Sequence, residues 1–209
     1  MGPGYSIDMT DKKTFRPIGK FGQVVMTALL LWESLSAANL TAQQRTLELD
    51  PAKTQIHYSL GATAHTVHGL FQMRSGVINF DPKTGAASGA ILVDAASGNS
   101  GTESRDKKMK KEVLQTEQYS EVAFYPKKVI GTVPSQGSSQ LQVAGTFRVH
   151  GADHDLTMTI PVQINGSQVS ATTQFVVPYV SWGMKDPSTF ILRVAKDVNI
   201  EINTVGTLK

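Results

Sequence analysis

From Asp155 to Ile164 the chain changes character at every residue. Leu156, Met158, Ile160, Val162 and Ile164 are apolar, and Asp155, Thr157, Thr159, Pro161 and Gln163 separate them. A period of two sends successive side chains to opposite faces of an extended strand, one wet and one apolar. Asn165-Gly166 follows, which predicts a type I′ hairpin turn with positive φ at both of its central residues. Beyond it, Val169, Ala171, Thr173, Phe175 and Val177 alternate with Gln168, Ser170, Thr172 and Gln174. The two runs therefore predict an antiparallel hairpin. Asn165-Gly166-Ser167 also fits a glycosylation sequon, but that pattern is common and the turn is the more specific reading.

The same rule marks the other strands. Residues Thr54–Leu60 set Ile56, Tyr58 and Leu60 against Gln55, His57 and Ser59. Gly69–Phe80 reads as a long strand bent near Ser75-Gly76. The turn Asp81-Pro82-Lys83-Thr84-Gly85 leads into a strand over Ala86–Asp94, and Glu121–Ile130, Gln140–Val149 and Thr189–Ile202 complete the set, the last bulged around Ala195–Asp197. Seven to nine strands joined by short turns imply an antiparallel sandwich or an up-and-down barrel, and strands of ten or more residues favour a barrel. One segment breaks the pattern. Ser100-Gly101-Thr102-Glu103 offers a capping box, and Arg105–Gln115 then reads as a helix with Met109, Val113 and Leu114 as its apolar stripe. Glu103–Lys107, Asp106–Lys110 and Lys108–Glu112 are spaced four apart, as side-chain pairs on a helix surface require. The lysines 107, 108, 110 and 111 form a basic face suited to solvent, to an anionic lipid surface or to a diphosphate.

The N-terminus reads as an address. Lys12, Lys13, Arg16 and Lys20 precede the apolar run Phe21–Trp32, and Ser36-Ala37-Ala38 supplies small residues for cleavage. Those are the three parts of a secretory signal. The run is 12 residues long, short of the roughly 20 a spanning helix needs. The expectation is a signal peptide over residues 1–38, one domain over 39–209, and a periplasmic or secreted location.

Composition narrows the function. The chain has 209 residues, 40% hydrophobic and 18% charged, which excludes disorder and a polytopic membrane protein. It has no cysteine, which removes disulfides, thiolate metal sites and thiol nucleophiles. A net charge of +3, spread evenly, and 7% aromatic residues argue against nucleic acid as a partner. There is no Walker loop and no Gly-x-Gly-x-x-Gly after a strand.

Several segments, taken in order, resemble the YceI-like family. They are Leu49-Asp-Pro-Ala-Lys-Thr-Gln-Ile-His-Tyr58; Ala64-His65-Thr-Val-His-Gly69-Leu-Phe71; Ile78-Asn-Phe-Asp-Pro82; Ser97, Gly101 and Arg105-Asp106; Tyr119-Ser-Glu-Val-Ala-Phe124; and His150-Gly151. Ser120 stands where the family carries proline, His68 and His154 are additional, and Val177–Pro187 looks like a subgroup's long loop before the last strand. The likeness spans residues 46–205. It implies an exported, lipocalin-like antiparallel β-barrel of about eight strands, with an apolar tunnel that binds a long isoprenoid such as a polyprenyl phosphate or a quinone. It implies no cofactor beyond that bound lipid.

The residues agree with that implication. A barrel of eight strands either fills its interior with side chains or holds one small ligand. Phe71, Phe80, Phe124, Phe147, Met158, Ile160, Phe175, Phe190 and Leu192 are the candidate lipid-binding residues, with Gly89, Gly145 and Ala171 leaving space between them. Methionine and phenylalanine suit a flexible chain through shape-tolerant contact. The same residues also serve as plain core on an apolar strand face. Membrane contact would be transient, and an exposed edge strand would allow a homodimer.

A rival reading uses His65, His68, His150 and His154 as ligands of a metal, in a binding protein or a small metal-dependent enzyme. Residues three apart on a strand face opposite ways, so His65 and His68 converge only across a turn or bulge. Hydrolase readings are weaker. Gly98-Asn-Ser100-Gly lacks the nucleophile-elbow spacing, and Glu103 and Asp106 lie too close together on one helix to act as separated glycosidase carboxylates. The sequence therefore points to a binding module, not an enzyme.

Overall fold

The computed structural model describes residues 44–209 and, ahead of them, Gly2 alone. The signal expected over residues 1–38 lies outside the described residues. Nine strands form among the described residues: β1 (Arg45–Leu49), β2 (Gln55–Gly61), β3 (Thr66–Phe80), β4 (Ala87–Asn99), β5 (Glu121–Ile130), β6 (Gly137–Val149), β7 (Ala152–Asn165), β8 (Gln168–Val177) and β9 (Val198–Leu208). A short helix α1 (Glu103–Lys108) runs on into a π turn over Met109–Val113.

Every pairing is antiparallel, and β2 meets both β3 and β9, which closes an eight-stave barrel. β1 shares a stave with β2. It pairs with the far ends of the same two neighbours, Leu47 opposite Ile78 of β3 and Leu208 of β9. The break between them is a single 3-10 turn at Pro51–Lys53. Asp50 accepts a hydrogen bond from the Ala52 amide at 2.9 Å, and Thr54 Oγ1 donates to the Asp50 carbonyl at 2.8 Å. Proline supplies no donor, so the chain leaves the ladder there at small cost.

Three register slips curve the wall. The β3–β4 register slips between Leu70 and Gln72 and again between Met73 and Ser75. The β5–β6 register slips between Pro126 and Lys128. An extra residue reverses the in-out parity beyond it. Val67, Phe71 and Met73 face inward before the extra residue Arg74 of β3, and Ile78 and Phe80 face inward after it. The bend expected near Ser75-Gly76 is thus present, as a bulge at Arg74.

Four expectations need correction. The β7–β8 turn is centred on Gly166-Ser167, with Asn165 paired to Gln168. Gly166 has φ +62, whereas Ser167, the second central residue, is not in the left-handed region, so the turn follows the II′ pattern rather than I′. The I′ pattern appears instead at the β6–β7 turn, where His150 and Gly151 have φ 51 and 75. The strand expected over Thr189–Ile202 forms only from Val198, and continues to Leu208. Its first half is a loop, because Thr189 and Leu192 bond to each other and close a local turn. Lastly, the capping box at Ser100 does not form. Ser100 spends its amide and hydroxyl on the Asp106 carboxylate, and Thr102 occupies the N-cap without a side-chain bond. The pairs expected four apart on the helix are not made among the described residues; Glu112 instead meets Lys185 of the long loop at 2.6 Å.

Candidate functional site

Inward alternation on the staves does not end in a filled core. It surrounds a hollow with two lobes along the barrel. The larger, about 580 Å³, opens at the end that carries α1 and the loop between β8 and β9. The smaller, about 160 Å³, occupies the other half. Val93, Val122, Phe147, Phe175 and Ile202 line both lobes, so they form the waist between them. Phe147 is the centre of that waist: its ring stands edge-on to Phe175 at 5.8 Å and tilted against Trp182 at 5.9 Å.

Each lobe is built from strand positions two apart. Ile56, Tyr58 and Leu60 of β2, Val67 and Phe71 of β3, Phe175 and Val177 of β8, and Val198, Ile200 and Ile202 of β9 wall the large lobe. Phe80, Phe124, Leu141, Val143, Met158, Ile160, Val162 and Ile164 wall the small one, where Thr173 and Thr204 add the hydroxyls. The lining is therefore hydrocarbon along nearly its whole length. Basic side chains gather at one place, the mouth, where His65, Arg105 and Lys108 reach the large lobe beside Ser104.

Hydrogen bonds hold that mouth in shape. Arg105 donates from Nε to Ser100 Oγ at 2.7 Å, and from its terminal nitrogen to the Ser100 carbonyl at 3.0 Å and Thr102 Oγ1 at 2.9 Å. Ser100 also faces the buried Tyr58 hydroxyl. Burial pushes the Tyr58 pKa up, and the Ser100 hydrogen bond works against that rise. Lys108 Nζ donates to the Pro187 carbonyl at 3.3 Å, tying α1 to the long loop. Tyr179 from the same loop is buried and donates to the Ala195 carbonyl at 2.8 Å; burial raises its pKa to about 12. The β7–β8 ladder spans only Val162–Asn165 and Gln168–Ala171, so the strands part toward the mouth. On that side Trp182 lies flat on His154, with ring centres 3.9 Å apart and planes within 8°.

Of the residues expected from the sequence, Phe71 and Leu192 border the large lobe, Phe80, Phe124, Met158 and Ile160 the small one, and Phe147 and Phe175 both. Phe190 is a correction. It is 94% exposed on the long loop and borders neither lobe, because the strand that would have turned it inward does not form. The space expected at Gly89 and Gly145 is also absent. A Cβ at Gly89 would meet the Val77 carbonyl at 2.2 Å, and one at Gly145 the Tyr125 carbonyl at 2.3 Å; these glycines admit a neighbouring strand instead of enlarging the hollow. Sequence reasoning missed Tyr58, Val67, Val177 and Ile200, although the alternation in β2, β8 and β9 carries the signal. Nothing in the sequence pattern marks Tyr179 or Met184, which reach the lobe from a loop.

The four histidines do not converge. His65 sits at the mouth and His68 on β3 opposite Ser59, while His150 and His154 belong to the β6–β7 hairpin. Among the described residues no three His, Asp or Glu side chains stand close enough to share a metal ion, so the metal-based reading has no site there. His150 packs against Tyr119 at 4.6 Å with the ring planes tilted by 54°, and His154 stacks flat on Trp182.

The model of the YceI-like domain matches residues 47–206, which is nearly all of the described barrel. The chain belongs to the YceI-like family. Among individually curated proteins none matches the sequence. Solved structures share the fold at low identity. BcnA of Burkholderia cenocepacia superposes with a TM-score of 0.62 at 18% identity, covering 76% of this chain and 99% of its own. A polyisoprenoid-binding domain from Saccharophagus degradans, implicated in plant cell wall breakdown, gives 0.62 at 13% identity, covering 77% and 97%. The Campylobacter jejuni YceI protein gives 0.50 at 16% identity, over 62% and 78%. This YceI-like barrel thus keeps the architecture of these solved structures at 13–18% sequence identity.

Proposed function

We propose that this YceI-like protein is an exported lipid-binding protein that holds an isoprenoid chain lengthwise in its barrel. The observation that carries the reading is the hollow itself: two apolar lobes in line, with the basic side chains confined to one mouth. The larger lobe alone falls in the ordinary size range of a ligand site, about 300–1,000 Å³. Each isoprenyl unit carries five carbons, so its burial is worth on the order of 3–4 kcal/mol before the costs of association. No catalytic group is needed for that role. A bent, branched chain passes a waist of phenylalanine rings more readily than a rigid polycycle does. The head group would rest among His65, Ser104, Arg105 and Lys108, where a polyprenyl phosphate would meet two cations and a quinone two kinds of donor. The similarity to the Saccharophagus domain supports the isoprenoid class, and the basic, apolar and small-residue sequence over residues 1–38 supports a periplasmic or secreted location.

The experiment is purification from an envelope-bearing bacterium under native conditions, followed by native mass spectrometry and solvent extraction. The expected result is one equivalent of a prenyl-chain lipid, with N-terminal processing after Ala38. A protein that leaves the cell empty, and that takes up neither a polyprenyl phosphate nor a quinone in titration, would sink the proposal.

A further inference from the structure

We propose that the turn Thr189–Leu192 is a membrane-docking lip that seats the mouth of the barrel on an anionic phospholipid surface. This goes beyond the lipid-holding reading and stands on Phe190 and Ile191, which lie outside the hollow's wall. Phe190 and Ile191 are 94% and 86% exposed. They occupy the two corners of a tight turn: the Thr189 amide donates to the Leu192 carbonyl at 2.8 Å, and the Leu192 amide to Thr189 Oγ1 at 3.1 Å. Turn corners ordinarily carry Gly, Pro, Asn, Asp or Ser. A phenylalanine and an isoleucine there cost apolar exposure and gain nothing for the turn.

The turn is fixed in place. The Thr63 amide donates to the Arg193 carbonyl at 3.0 Å, the Arg193 amide returns a bond to Thr63 Oγ1 at 2.8 Å, and the Ala195 amide donates to the Gly61 carbonyl at 2.8 Å. Phe190 and Ile191 are thus presented from a braced loop, and Leu192, next in line, borders the large lobe. A surface touching Phe190 would therefore lie beside the opening.

Charge selects the occupant. Segments 103–113 and 185–197 frame this end, and together they hold eight Lys or Arg side chains against five carboxylates. That excess equals the net charge of the whole chain, +3. Lys107, Lys111, Arg193 and Lys196 are exposed, and among the described residues none lies within ion-pair distance of a carboxylate. Exposed apolar side chains at an end that also carries unpaired cations match the layered chemistry of an anionic bilayer, whose charged head groups overlie hydrocarbon.

The test uses the absence of cysteine from the chain. Ile191→Cys, and Ser167→Cys in the turn at the opposite end of the barrel, each give a unique attachment point for an environment-sensitive dye. The full-length protein is stripped of lipid, labelled, and mixed with vesicles of phosphatidylcholine with or without phosphatidylglycerol. The expected result is a blue shift at position 191 with the anionic vesicles, none at 167, and a loss of the shift as salt rises. Adding Phe190→Ser to the position-191 background should weaken apparent binding on the order of tenfold or more. A dye at 191 that ignores both vesicle types, or equal shifts at 191 and 167, would overturn the proposal. So would a change of oligomeric state with Phe190→Ser in light scattering, which would assign the patch to a second copy. Because the protein is stripped first, docking without lipid uptake would leave the lip standing and remove the carrier reading; uptake without docking would do the reverse.

Discussion

Phe147→Ala probes the waist of the hollow. The ring separates lobes of about 580 and 160 Å³ and packs on Phe175 and Trp182. Removing it deletes those contacts and joins the lobes into one channel. Phenylalanine-to-alanine changes in a closed core cost about 3–5 kcal/mol, and a ring that already borders open space belongs at the low end, ~3 kcal/mol. For a domain of this size each kcal/mol moves Tm by about 2–4 °C, so the empty variant should melt roughly 6–12 °C lower. The ligand readout moves the other way. A wider passage should let longer or bulkier chains occupy both lobes, so native mass spectrometry should show a shift of co-purified lipid toward greater mass. Phe147→Leu, which keeps more of the bulk, should fall between the two. A Tm change under about 2 °C together with an unchanged lipid profile would refute the assignment of Phe147 as the divider.

Two further predictions follow from close packing and burial. Gly145→Ala should cost roughly 1–3 kcal/mol in urea unfolding, since its Cβ would stand 2.3 Å from the Tyr125 carbonyl and 2.7 Å from the Phe124 ring; a loss under about 0.5 kcal/mol would show that β5 and β6 yield easily. In alkali, Tyr179 and Tyr58 set a window. Burial raises both phenols, Tyr179 from 10.0 to about 12, so the folded state holds these protons more tightly than the unfolded chain. Their stabilisation is full below pH 10 and is lost as the pH rises from about 10 to about 12. Thermal melts of the wild type should fall across that window, and Tyr179→Phe should fall less steeply; parallel curves would remove Tyr179 from the account.

Much of the barrel was legible because an antiparallel stave with one wet face must alternate. The β7–β8 hairpin, the Arg74 bend and the apolar wall all follow from that period. Legibility ended where local bonds overrode it. The run Phe190-Ile191-Leu192 looks like strand, yet Thr189 at its start closes a turn and sends Phe190 and Ile191 outward. Ser100 has the spacing of a capping box, but Asp106 and Arg105 compete for the same hydroxyl and win with charge-assisted bonds. Gly145 reads as empty space in a sequence, whereas the neighbouring strand supplies the atoms that fill it. β1 went unseen because five residues beside an apparent cleavage site carry too little period to register. The site was harder to read than the fold. Alternation names inward residues but cannot distinguish a plugged interior from an open one, since that depends on how closely the opposite walls approach.

The stave shared by β1 and β2 has a temporal consequence. Its partner on one side is β9, the last strand to be made, with Gln55 paired to Asn203 and Leu47 to Leu208. Those bonds join residues about as far apart in the chain as the domain allows, and such contacts carry the largest loop-closure entropy. Synthesis runs from the N-terminus, so the first strands must wait for the last with one edge unmet. Until Leu208 arrives the wall is an open, half-oily sheet. The seam between β2 and β9 is thus where a chaperone would be needed first, and where truncating the C-terminus would do the most harm.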